Sequence, residues 1–275
     1  MGNSRIKRER LLKLQPNCIF CGGENLATTI EHCPPRGMFD NRAWPEGFEF
    51  SSCSDCNHGT SDEDMLIAMM GRMDAFNDTG IEDPQLTGLV KRVHKQYPTL
   101  FQKMMPSAVE ARRTNRTLGI PLKKGKTHQE NCVVNVTDEM QSAVEIFSKK
   151  LSKAIYYLNS EKIFPQDGCL LLTWFTNAEL VRPQGYLPFN LLRDISGNTP
   201  PIQRSAKLLN SQFEYKISLT TDHQLFVIQA AFGRAFGIVV FGSTQAGQLE
   251  KIIQQLREES QRERGPLQVL QSSIL

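Results

Sequence analysis

The sequence predicts an α+β protein in three regions: a small metal-stapled finger over residues 1–80, a basic, mainly helical connecting segment over 81–127, and an α+β part over 128–275 containing an antiparallel meander. Three observations predict it. Four of the seven cysteines fall into two C-x2-C pairs before residue 60. Helical spacing of apolar residues dominates from about residue 61 to 159, and strict alternation of apolar and polar residues appears after residue 212.

Residues 1–60 are rich in Cys, Gly and Pro and lack sustained periodicity, as expected of a fold held by a metal in place of an apolar core. A helix is predicted from Ser61, with Ser61 and Asp64 as a capping box, Asp62 and Glu63 in the first turn, and Leu66, Met69, Met70 and Met73 on one face. Further helices are predicted between Pro84 and Arg116, broken near Pro98 and Pro106. Val144, Phe147, Leu151, Ile155 and Leu158 step by three and four. They predict an amphipathic helix over 139–159 with Lys149, Lys150 and Lys153 turned outward.

Leu170–Phe175 is a short apolar run suited to a buried strand, and Phe213, Tyr215, Ile217 and Leu219 alternate with polar residues. Gln224–Ala231 and Phe236–Phe241 complete a three-stranded meander that turns at Gly233. A last helix is predicted around Leu249, Ile252, Ile253 and Leu256, and Pro266–Leu275 carries no readable signal.

With 40% hydrophobic and 22% charged residues, the composition is that of an ordinary globular protein. No apolar run approaches the roughly 18 residues that span a bilayer, and the basic start lacks a signal-type core, so a cytoplasmic protein with no membrane partner is expected. Ile6 stands where a myristoylation signal has Ser or Thr, which removes Gly2 from consideration. The net charge of +3 hides an asymmetry. Residues 1–80 hold 8 basic and 12 acidic side chains, net −4, whereas residues 91–126 hold 10 basic and one acidic, net +9. Lys91, Arg92, Lys95, Arg112, Arg113 and Arg116 in that stretch are candidate phosphate contacts, a solvated helix face being the alternative. Residues 128–275 carry 14 of each sign, without bias toward nucleic acid. Partner recognition, homo-oligomerisation and ligand sensing are the alternatives open for them.

Cys18-x2-Cys21 and Cys53-x2-Cys56 form two knuckles whose thiolates can close a tetrahedron on one Zn2+, a structural site without an open position. Four reduced buried cysteines or an iron–sulfur site are the alternatives. Cys33, Cys132 and Cys169 lack partners at ligand spacing and are expected to be small core residues. Trp44 and Trp174 are expected to pack.

Between the knuckles stands Thr29-Ile30-Glu31-His32-Cys33-Pro34-Pro35-Arg36, and Asn57 follows Cys56 directly. A C-x2-C knuckle, an acidic–His pair near a proline, and a second knuckle followed by Asn resemble the zinc-containing branch of the HNH endonucleases, over about residues 16–66. The resemblance implies a ββα-metal finger. It implies that Glu31 and Asn57 hold a hydrolytic Mg2+ or Mn2+ and that His32 is the general base activating water. The implied activity is metal-dependent hydrolysis of phosphodiester bonds, with nucleic acid, DNA by the family's habit, as substrate. Arg36 and Arg42 are candidate phosphate contacts within the finger. The sequence departs from the family in lacking the middle Asn, the stretch before the second knuckle being Pro45–Phe50, with Asn41 a candidate substitute. His58 is a further candidate ligand or phosphate contact. The competing class is a zinc-stabilised module that binds nucleic acid or protein without cutting it.

Overall fold

The computed structural model describes residues 3–73, 83–131, 133–177, 197, 199–245, 247, 249 and 268–271. The fold is α+β. An amino-terminal helix α1 (Asn3–Leu14) leads into a hairpin of β1 (Thr29–His32) and β2 (Glu49–Ser52), then the short α2 (Ser54–His58) and α3 (Ser61–Gly71). Thr29 pairs with Ser52 and His32 with Glu49, so β1 and β2 run antiparallel with both knuckles at one end. This segment therefore contains two strands and a following helix, the local order that the resemblance implies.

The middle segment contains α4 (Pro84–Gln96), α5 (Leu100–Met104) and α6 (Ala108–Leu118), with Pro98 and Pro106 in the breaks. Asp83 caps α4 by accepting from Gln85 N at 2.9 Å, and Pro84 occupies a first-turn position where no amide is needed. Ser107 and Glu110 close a reciprocal capping box on α6, and Gly119 ends it in the left-handed region. In α3 the expected capping box is absent. Thr60 takes the cap position without capping an amide, and the Ser61 hydroxyl donates to His58 O at 2.9 Å. Asp64 and the Thr60 hydroxyl are engaged by a lysine from elsewhere.

That lysine belongs to α7 (Asp138–Ser160), the helix around which the molecule is built. Thr137 caps it through Met140 N, and Asp138 and Glu139 complement its positive end. The predicted face is buried at Val144, Phe147, Leu151 and Ile155, but so are Lys150, Ser152, Lys153, Ala154 and Tyr156. The helix is enclosed on all sides along residues 150–156, and Lys150 and Lys153 point into the interior, contrary to the expected outward placement. Leu158, expected on the core face, is exposed instead.

On one side of α7 lies an antiparallel sheet in the order β6 (Glu214–Leu219), β7 (Leu225–Phe232), β8 (Phe236–Ser243), β3 (Cys169–Thr176), with β9 (Gln268–Gln271) along the free edge of β3. The meander is the predicted one, and β9 is a strand that sequence pattern does not reveal. The predicted helix after Leu249 lies outside the described residues, as does Cys132. Phe226 faces Gly242 across the β7–β8 ladder, and a Cβ at Gly242 would fall 2.0 Å from the Phe226 ring. Glycine is what lets that ring lie flat on the neighbouring strand.

Phe147 of α7 meets Phe232 at 5.2 Å between ring centroids, and Tyr156 meets Phe226 at 5.3 Å. Phe48 of the finger meets Phe213 at 5.5 Å and Tyr215 at 6.0 Å. The buried apolar residues consequently form a continuous cluster from Cys18 to Val240, and the finger shares the core of the carboxy-terminal part. Each such aromatic contributes roughly 1.5–3 kcal/mol by burial, so the finger is held by an apolar core as well as by its cysteines. A short hairpin, β4 (Gln203–Arg204) and β5 (Lys207–Leu208), docks back on the finger through Glu46 N donating to Gln203 O and Ser205 N donating to Glu46 Oε1. Among the described residues no helix is long and apolar enough to cross a membrane.

Candidate functional site

Cys18, Cys21, Cys53 and Cys56 are buried, and their four sulfurs lie within 4.8 Å of one another. The first knuckle is a tight loop. Cys18 N donates to Asn25 O, Gly23 N donates to Cys18 O at 3.0 Å, and Gly22 and Gly23 both take positive φ. At Gly22 a side chain would also be blocked, since a Cβ would come within 2.7 Å of Gln166. The second knuckle is the start of α2: Cys53 is its cap residue and Asn57 N donates to Cys53 O at 3.2 Å. Among the described residues these four soft sulfur ligands form the whole set, a closed tetrahedron suited to structural Zn2+.

A hydrogen bond from Cys56 pulls the Cys18 thiol down to about 4, while the same bond pushes Cys56 up and burial pushes Cys21 up. One thiolate is thus shared among neighbouring thiols, and a metal would displace the remaining protons. Asn25 N also donates to Cys21 Sγ at 3.4 Å. Behind the cluster, Lys153 is 1% exposed and its Nζ donates to Phe20 O at 2.5 Å, inside the first knuckle. Burial pulls this ammonium down to about 8, and negative charge on the nearby Cys56, Cys21 and Cys18 sulfurs opposes that fall. Zn2+ on four thiolates leaves an excess of negative charge, and Lys153 is positioned to balance part of it.

Glu31, His32 and Asn57 make separate sets of contacts. The Glu31 carboxylate is buried and accepts from Lys150 Nζ at 3.0 Å. The same ammonium donates to Thr60 Oγ1 at 2.7 Å and Asp64 Oδ2 at 2.8 Å, so its three N–H groups are all engaged. Burial pushes Glu31 up to about 7, with Lys150 pulling it back and Asp64 pushing it further. Lys150 is held above its usual range by Asp64 and Glu31, against the effect of burial. One cation therefore serves two carboxylates inside the protein.

His32, the next residue on β1, contacts a different set of groups, as side-chain alternation along a strand requires. Its ring stands edge-on to Trp44 at 4.7 Å, and Nε2 lies 3.6 Å from Glu49 Oε1. Burial, followed by the Arg36 guanidinium, pulls its pKa down to about 4, leaving a neutral imidazole at pH 7. Asn57 uses its amide nitrogen to tie α2 to β1, donating to Thr29 Oγ1 at 2.6 Å and Ile30 O at 3.1 Å. His58 is exposed and bonded to Ser54, and Asn41 takes φ +54° in the turn before Arg42.

The predicted phosphate contacts fall in two places. Lys91, Arg92, Lys95, Arg112, Arg113 and Arg116 are all exposed on α4 and α6. Trp44 packs against the core as expected and also carries two cations, the Arg204 guanidinium 3.8 Å from its ring centroid and Arg36 at 5.1 Å, while Arg42 is exposed two residues before it. Sequence reasoning missed Lys150, Lys153 and Arg204. A signal for the two lysines was present in Lys150-Leu-Ser-Lys-Ala-Ile-Tyr156, where small and apolar residues surround them on more than one helix face. Arg204 had none, being 160 residues from the Trp44 carbonyl it bonds.

No family model, no curated protein and no solved structure matches this chain.

Proposed function

We propose that this chain is a zinc-stapled nucleic-acid-binding protein that keeps an HNH-like finger as a scaffold and does not cut its ligand. The observation that carries the reading is Lys150. Its ammonium occupies the carboxylate that the HNH resemblance assigns to a hydrolytic metal, from within the protein and with all three of its donors used. A divalent ion at Glu31 would have to expel a buried cation that two carboxylates hold. Zn2+ at the four cysteines is structural in this reading. Nucleic acid, DNA by the resemblance, is the ligand because the finger's Arg36 and Arg42 and the exposed cations of α4 and α6 can displace counterions from a phosphate backbone.

Hydrolysis is the second reading, and His32 is the observation that favours it. The imidazole is neutral at pH 7, its side chain is 21% exposed, and it lies beside the Arg36 guanidinium, as a water-activating base near a phosphate would. The test is equilibrium binding of labelled DNA and RNA oligonucleotides with Mg2+, with Mn2+, and with both withdrawn under conditions that retain zinc. The proposal expects one affinity in all three. A requirement for Mg2+ or Mn2+ that Glu31→Gln removes would reverse the order of the two readings.

A further inference from the structure

Arg36 and Arg42 come from the paired 3-10 turns after Pro35 and Arg204 from the β4–β5 hairpin, and two of them, Arg204 and Arg36, lie over the Trp44 ring. Local backbone fixes each position. Arg36 opens a 3-10 turn after Pro35, and Arg42 follows Asn41 with φ of +57° and +54° respectively, a left-handed pair that costs free energy for side-chain-bearing residues. Arg204 stands before the Ser205–Ala206 turn, whose φ values are +48° and +62°, and its Nη1 donates to Trp44 O at 3.0 Å. None of the three guanidiniums has a carboxylate within ion-pair distance among the described residues.

Gathering like charges this way is unfavourable, and Arg36 registers it: burial and the Arg42 guanidinium both lower its pKa. A guanidinium carries five N–H donors in a planar fork, and stacking on an indole leaves that fork free at its edge. Arg204 spends one nitrogen on the Trp44 carbonyl and keeps the rest. On the His32 side, Glu49 is already bonded by Lys7. A planar or tetrahedral oxyanion is the ligand whose geometry complements these forks.

We propose that Arg36, Arg42 and Arg204, arranged around Trp44, form a binding site for a phosphate group of the nucleic-acid backbone. The proposal rests on the nucleic-acid reading above and locates its contact on the finger. The phosphodiester lies against the arginine forks, and Trp44 orients two of them. The cations of α4 and α6 extend the same phosphate-binding chemistry without taking part in this site.

The test uses the full chain carrying Trp174→Phe, so that Trp44 is the one indole, titrated with a single-stranded oligonucleotide, a duplex, and inorganic phosphate. Saturable change in Trp44 emission with an oligonucleotide is expected, and Arg36→Gln should weaken that binding about tenfold, the usual worth of a charge-assisted contact. Among the described residues the Arg36 side chain makes no hydrogen bond that its loss would disturb, and Arg204→Lys, which keeps charge but loses the fork, should weaken binding in the same direction. If oligonucleotides bind but Trp44 emission and the affinities of both variants are unchanged, the site is wrong while the nucleic-acid reading stands. If only inorganic phosphate perturbs Trp44, the backbone source is wrong. If neither does and nothing binds, both the site and the reading fall.

Discussion

Lys150 Nζ stands 3.0 Å from a carboxylate oxygen of Glu31, a residue 119 positions earlier in the chain, and 2.8 Å from a carboxylate oxygen of Asp64. This buried triad fastens α7 to the strand and helix that flank the cysteine cluster. Lys150→Met would strand two carboxylates beside an apolar side chain. A loss of about 3–5 kcal/mol in folding stability is expected, the usual cost of breaking a buried pair from one side. Lys150→Met with Glu31→Gln and Asp64→Asn should recover much of it. Chemical denaturation of the single and triple variants measures both, and a single variant as stable as the parent would remove the triad from the fold's energetics.

One zinc per chain is expected at Cys18, Cys21, Cys53 and Cys56. Because Phe48 of the finger packs on Phe213 and Tyr215, and Lys153 holds the knuckle from α7, removing the zinc should destabilise the whole shared core. Near-ultraviolet circular dichroism during chelation should therefore report loss of finger and sheet packing in one transition. Two separated transitions, or folded protein with no zinc by elemental analysis, would contradict this.

Lys153 is expected to hold the metal without touching it. Lys153→Met should speed zinc transfer to a chromogenic chelator, with affinity falling about 10- to 100-fold, the range typical of outer partners of a metal site. Lys153→Arg should lose less, if the longer side chain still reaches Phe20 O. Equal zinc affinity in all three proteins would reduce Lys153 to a packing residue.

His32 predicts a pH dependence of definite sign. Its folded pKa is about 4, below the ordinary 6.5, so folding favours the neutral ring. The contribution is fully present above about pH 6.5 and is lost as pH falls through about 4. It amounts to at most about 3.5 kcal/mol, since each tenfold change in proton affinity corresponds to roughly 1.4 kcal/mol. His32→Gln removes it, so the parent should lose stability relative to this variant between pH 6.5 and 4. Taking the difference at each pH cancels the proton dependence of the cysteines, and a difference that stays constant would mean that His32 titrates normally.

Reversing Lys91, Arg92, Lys95, Arg112, Arg113 and Arg116 should weaken nucleic-acid binding and flatten its dependence on salt, each lost phosphate contact lowering the logarithmic slope by about 0.7–0.9. An unchanged slope in salt titrations would assign these cations to solubility.

Much of this architecture is visible in the sequence because local physics determines it. Pro98 and Pro106 break helices wherever they occur, Phe213 to Leu219 alternates as a one-faced strand must, and two C-x2-C pairs bring four sulfurs together. Long-range polar pairing is not visible. Lys150 and Lys153 read as surface residues when α7 is taken as one-faced, and although the small and apolar residues around them hint at burial, the folded chain is needed to show which partner each faces, Glu31 and Phe20 O. The four residues of β9 are too few to carry a pattern, and Arg204 meets Trp44 through a hairpin whose docking depends on Glu46. At the candidate site, sequence order gathers Glu31, His32 and Asn57 around one motif. In the structure the three have different partners: Lys150 for Glu31, Trp44 and Glu49 for His32, and the Thr29 hydroxyl and Ile30 carbonyl for Asn57.

The most direct test of binding without cutting is incubation of zinc-loaded protein with supercoiled plasmid and with RNA, in Mg2+ and in Mn2+, beside His32→Ala. The account predicts retarded but intact nucleic acid, the same for both proteins. Cleavage by the parent that depends on Mg2+ or Mn2+ and disappears in His32→Ala would contradict it and place the hydrolytic reading first.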